Sequence, residues 1–178
     1  MSEQYGKRVG QALRAVHQLH SDSSRLLLDM DRAMHGWKSV YDSTVTNDIP
    51  YTTGKDRYMA EGLFRHYYQN QEMNFVVALN LCFFDSEDPT LDEPILVAAE
   101  LNYDSQSTAK DTSRAWDPWN AFFIWGERPK LHDVFVVTSP ESFEREVAGN
   151  AIAVPLYDVT STDYVKGLLA NICTVLLP

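Results

Sequence analysis

Tyr5, Val9, Ala12, Val16, Leu19, Ser23, Leu26, Met30, Ala33, Trp37 and Val40 are spaced alternately by four and three residues. That spacing puts them on one helical face through five heptads. Only Ser23 interrupts the apolar run. Ser21-Asp22-Ser23-Ser24 has the composition of a break with a fresh N-cap, but a loop of arbitrary length would not return the hydrophobic positions to phase. One continuous helix over about 1–41 is therefore expected. Its stripe has to be covered, either by the chain's own sheet, which is the commoner use, or by a second copy through a coiled-coil-like contact that would make a homo-oligomer.

The rest of the chain supplies that sheet. Residues 42–54 are turn-rich, and a second helix over about 56–69 is expected from Met59, Leu63 and Tyr67 on one face. Asn74–Phe84 and Ile95–Tyr103 are apolar, β-favouring runs that pair most simply as an antiparallel hairpin around the acidic segment 85–94. The polar stretch 104–115 reads as a mobile insertion. Asp133–Thr138 reads as a strand, Ser139-Pro140 as a helix start, Gly149-Asn150 as its end and Ala151–Tyr157 as another strand. A last helix then opens at Thr160. Strands joined by a helix are usually parallel. The expectation is one α/β domain over 1–178, with its α/β core over 56–178. It has a mixed sheet of about five strands, an antiparallel hairpin first and a β-α-β-α unit last.

Ala115–Trp125 holds three of the four tryptophans. As a strand, 120–125 is apolar on both faces and must be central; as a helix, Pro118 opens it and Gly126 ends it. Phe-Phe-Ile-Trp favours the strand. On that reading Phe123 and Trp125 are core. Trp116 and Trp119 then stand at the strand's entrance as exposed anchors for a partner, a common role for tryptophan.

With 178 residues and 44% hydrophobic content, one substantial core is within reach. The net charge is −10, and much of it lies between His66 and Ala109, which has no Lys or Arg but carries Glu72, Asp85, Glu87, Asp88, Asp92, Glu93, Glu100 and Asp104. Such a segment repels a phosphate backbone and argues against nucleic acid. Asp88, Asp92 and Glu93 make a basic protein the expected partner, or Trp116 and Trp119 as anchors make it one with a pocket for an aromatic side chain. No run of 18 apolar residues spans a membrane and the first ten residues are polar, so a cytoplasmic protein is expected. Cys82 and Cys173 sit in apolar runs as buried thiols in a reducing compartment.

Chemistry-bearing motifs are sparse. His17 and His20 have metal-compatible spacing but lie off the stripe without accompanying carboxylates. Gly54-Lys55-Asp56 lacks the upstream glycine and the hydroxyl of a phosphate loop. Thr90 stands where a calcium loop beginning at Asp85 needs glycine. No metal and no cofactor is expected. Asp85 at the end of one strand and Glu100 in the next could hold magnesium for phosphodiester attack. Over about residues 56–160 this order resembles the PD-(D/E)XK nuclease core, which implies Asp85 and Glu100 as metal-holding catalytic residues. Asn102 occupies the position of that family's lysine. Ser139, Asp158 and Thr160 stand at the expected carboxyl ends of parallel strands, where a small ligand or anion could bind and make the chain a sensor. The leading expectation is a non-catalytic protein-interaction or regulatory protein with an acidic and aromatic surface.

Overall fold

Helix α1 runs unbroken from Glu3 to Ala33 in the computed structural model, which describes residues 3–41, 45–46, 62–69, 74–83, 93–105, 109, 111–141 and 146–173. The preserved hydrophobic phase through Ser23 explains the continuity. The helix ends eight residues before the expected 41, because Gly36 adopts φ 86°. Glycine enters that left-handed region without steric cost and ends helices for that reason. Trp37 and Val40 therefore lie beyond the helix, with the Trp37 amide bonded to the Met34 carbonyl at 3.0 Å.

Two short strands, β1 (Lys38–Ser39) and β2 (Val45–Thr46), both pair antiparallel with β3 (Gly62–Tyr68). The expected helix over 56–69 is thus corrected to strand at 62–68; residues 56–61 lie outside the described ones. Strand alternation explains the change. Leu63 and Tyr67 pack into the core beneath α1, while Phe64 and His66 are buried on the other face, so the strand is covered on both sides. Strands β4 (Phe75–Cys82) and β5 (Ile95–Tyr103) form the expected antiparallel pair, from Phe75 opposite Asn102 to Cys82 opposite Ile95.

Where a strand was expected over 120–125, the chain forms a 3-10 turn (Thr112–Trp116) followed by helix α2 (Asp117–Phe123). Pro118 sits in the first turn of α2. Its fixed φ and missing N–H suit that position, and this outweighs the β-propensity of Phe-Phe-Ile-Trp. The segment 104–115, expected to be a mobile insertion, instead contributes the buried residues Ala109, Arg114 and Ala115.

Strands β6 (Val134–Thr138) and β7 (Val147–Pro155) pair antiparallel, with Val134 opposite Ile152 and Thr138 opposite Ala148. The expected β-α-β crossover with parallel strands is therefore corrected. The Ser139 Oγ accepts the Val147 amide hydrogen bond at 3.1 Å, and its own amide bonds the Val147 carbonyl at 3.0 Å. Gly149 lies within β7 instead of ending a helix. A Cβ there would collide with the Glu100 carbonyl across the sheet, so the position needs glycine for close approach. Residues 142–145 lie outside the described ones. After a 3-10 turn (Leu156–Asp158), helix α3 (Thr162–Ile172) begins at Ser161, whose Oγ accepts the Tyr164 amide at 3.2 Å.

Among the described residues the sheet has seven strands, in the order β1-β3-β4-β5-β7-β6 with β2 also on β3, and every pairing is antiparallel. The C-terminal half of α1 and all of α3 cover one face, and the 3-10 turn with α2 covers the other. Both central strands, β4 and β5, are buried on both sides. Cys82 packs beneath α2 and Cys173 against the opposite core, so no disulfide joins them.

Candidate functional site

The densest polar chemistry lies inside the protein. Beneath the 3-10 turn and α2, the sheet contributes His66, Asn80 and Tyr103; Tyr41 enters from beyond β1, and Arg114 and Asp117 descend from above. All six are buried. The Tyr41 hydroxyl is 3.5 Å from His66 Nδ1 and donates to the Asp111 carbonyl at 3.3 Å, while Asn80 Nδ2 donates to the Ala115 carbonyl at 3.0 Å. Burial lowers the His66 pKa to about 3 and keeps the ring neutral. Desolvation raises that of Asp117 to about 7, overcoming the opposing pull of Arg114, whose Nη1 is 3.7 Å from Oδ1. The same desolvation, reinforced by Asp117, raises the Tyr103 phenol. The sequence reading missed this cluster. Its visible signal was His66 and Asn80 standing inside runs that are otherwise apolar. With its groups enclosed beneath the turn, the cluster fastens the 3-10 turn and α2 to the sheet through polar contacts.

Both tryptophans expected to be exposed anchors are half-buried links in an aromatic chain. Phe64 meets Trp116 edge-on at 4.5 Å between ring centres, Trp116 meets Trp119 at 5.3 Å, and Trp119 meets Phe123 at 5.1 Å. Phe123 and Trp125, expected as core, are half-buried at its far end, where the Arg128 guanidinium lies 4.9 Å from the Phe123 ring centre. Helix α2 stacks these rings on one side, which a strand would have split between two faces.

Of the nuclease-like residues, Glu100 is 3% exposed in the middle of β5, opposite Val77 and Asn150. It faces the α1 and α3 side, and its carboxylate contributes, after burial, to raising the Cys173 thiol to about 12. Asn102 lies two residues on and is exposed. Asp85, Asp88 and Asp92 lie outside the described residues; Glu93 is half-buried beside Pro94. Among the described residues, no three His, Cys, Asp or Glu side chains gather as a metal site. His20 packs against Phe83, with ring centres 4.4 Å apart.

The three residues assigned to strand ends separate. Ser139 closes the β6–β7 hairpin, whereas Asp158 and Thr160 lie where β7 leads into α3, alongside α1. Asp158 Oδ2 is 3.5 Å from His132 Nε2. Thr160 lines the polar part of a groove between α1 and the start of α3.

Helix α1 is covered along only part of its length. Ser23, Leu27, Met30 and Met34 are buried against the sheet and α3, but Tyr5, Val9 and Leu13 are 54%, 41% and 63% exposed. The first four turns carry the same stripe with no sheet beneath it. Lys7, Arg8 and Arg14 against Glu3 make this arm basic on an acidic protein. Among the described residues, no helix is long and apolar enough to cross a membrane. Compared with known family models, curated proteins and solved structures, the chain matches none.

Proposed function

We propose that this chain is a non-catalytic protein-interaction module whose docking surface is the uncovered arm of α1, and that its partner presents an acidic amphipathic helix. The observation that carries this reading is the apolar stripe continuing past the sheet through Val9 and Tyr5, with Leu13 beside it. A face of this kind is covered by a partner helix in many helix-in-groove and helix-pair interfaces. Charge selects the occupant. The arm from Glu3 to Gln18 has three cations and one acid, so a second copy pairing arm to arm would bring like charges together, whereas an acidic partner complements them. The earlier expectation of a basic partner rested on Asp88, Asp92 and Glu93; the arm calls for the opposite sign.

The test is calorimetric titration of the full chain with a designed helical peptide carrying Leu at heptad positions and Glu elsewhere, against the same peptide with Lys for Glu. The acidic peptide binds in the micromolar range, weakens as salt rises, and fails to bind the Val9→Asp/Leu13→Asp variant. Equal binding of the basic peptide would discard the charge argument. Concentration-dependent dimerisation of the chain alone, abolished by the same double variant, would replace the partner with a second copy.

A further inference from the structure

At the base of the arm, a groove opens between the middle of α1 and the turn that precedes α3. Leu19 and Leu26 wall it on one side, Leu156 and Val159 on the other, and its apolar section holds about 370 Å³, within the range of small-molecule sites. Ser23 lines this section. It is 3% exposed, and its Oγ has no hydrogen-bond partner. An unpaired buried hydroxyl is destabilising, and a leucine would continue the stripe without that cost. The one polar residue of the five-heptad stripe is therefore the one that faces the groove.

The mouth is acidic and aromatic. Asp22 lines it, with Oδ1 accepting from Gln18 Nε2 at 2.8 Å and the second carboxylate oxygen left for another donor. Tyr157 stands opposite, 71% exposed. The Glu93 and Asp158 carboxylates are near enough to Tyr157 to raise its phenol, Glu93 with the larger effect. No Lys or Arg is among the described residues lining this section. An apolar section whose lining carries the Asp22 carboxylate and no cation disfavours fatty acids and favours a cation with a hydrophobic body; Arg25 and Arg32 line the polar section beyond it, outside the apolar trough.

We propose that this groove binds a small hydrophobic amine. The alkyl or aryl body lies against Leu19, Leu26, Leu156 and Val159, the ammonium pairs with Asp22 and donates to Ser23 Oγ, and the Tyr157 ring closes over the cation.

Octylamine, octanol, octanoate and Nα-acetyl-lysine amide are titrated separately into the full chain, with the methyl resonances of the four wall residues as the readout. Octylamine shifts those methyls saturably, octanol binds at least tenfold more weakly, and octanoate and the lysine probe leave them unmoved. Asp22→Asn, an exposed change that spares the core, weakens octylamine at least tenfold. Ser23→Ala weakens it several-fold, and Ser23→Leu, which fills the trough, abolishes binding. Octanoate or octanol binding as tightly as octylamine overturns the proposal, as does an Asp22→Asn variant with unchanged affinity or a set of wall methyls that never shift. Equal binding of the lysine probe also overturns it, assigning the groove to a peptide lysine.

Discussion

Asp117 shows most clearly what burial does to a single group here. An ordinary aspartate near 3.8 is raised to about 7, so between these values the folded chain holds a proton that the unfolded chain has lost. A group with a raised folded-state pKa contributes stability that is complete below the unfolded value and is lost as pH rises through the folded one. Stability should therefore decline from about pH 4 to pH 7 on account of this group and level off above. Urea melts at intervals between pH 5 and pH 8 measure it: Asp117→Asn flattens the decline. The slope is the readout, because the substitution also removes the counter-charge of Arg114. A wild-type slope retained in the variant would mean that Asp117 is ionised throughout. Nothing in the sequence announced this. Asp117-Pro118 reads equally as a helix start or a loop, and the burial that shifts the carboxylate comes only with the fold, which also brings Tyr103 from far away in the chain to hydrogen-bond it and partly oppose the shift. His66 and Asn80 were visible as polar exceptions within apolar runs, but their partners were not.

At the scale of elements, what was legible depended on whether a segment's environment is local or distant. The phase of α1 is a local property and was readable through Ser23; so was the β4–β5 pair, since two apolar runs flanking one acidic segment have a simple solution. By contrast, β3 and α2 were read the wrong way round. Leu63 and Tyr67 fit a helical spacing of four and a strand spacing of two alike, and Phe-Phe-Ile-Trp favours strand until Pro118 fixes the first turn of a helix. What settles β3 against α1 is a clamp of distant residues. Arg65 Nε and Nη2 donate to the two carboxylate oxygens of Asp31 at 2.9 and 2.6 Å, and the Tyr67 hydroxyl adds a third bond at 2.9 Å. Bidentate pairs of this geometry are the stronger kind of ion pair, and removing one partner strands a partly buried guanidinium. Asp31→Ala should cost about 2–3 kcal/mol by denaturant titration, with exchange of the α1 amides beyond Ser23 accelerated and the amides of the arm unaffected. A loss below 0.5 kcal/mol would show that apolar packing of Met30 and Met34 alone holds the helix down.

Whole-molecule topology was the least legible level, because a crossover and a hairpin use the same residue types at β6 and β7. The expected helix needed only Ser139 as a cap and Gly149 as a stop. In the fold, Ser139 bonds Val147 across the hairpin and Gly149 lets β7 approach the Glu100 carbonyl, two long-range constraints with no local signature. The candidate surface was half legible for the same reason. The stripe of α1 could be read from the sequence, but where the sheet stops beneath it could not. That boundary divides the molecule into a body that carries its stability and an arm that does not. Residues 1–15 contain Glu3, Lys7, Arg8 and Arg14, a net of +2, so removing them takes the chain from −10 to −12 while leaving every buried position of α1 in place. The truncated chain should melt within about 2 °C of the full one, with nearly the same denaturant slope, since that slope follows the surface exposed on unfolding. It should also elute later from an anion exchanger and lose all affinity for an acidic helical peptide. Removal of residues 1–30 takes Ser23, Leu27 and Met30 out of the core as well and should leave a chain without a cooperative transition. If the shorter truncation alone lowered the melting temperature by 10 °C or more, the arm would be structural, and the division of α1 into a packed half and a docking half would fail.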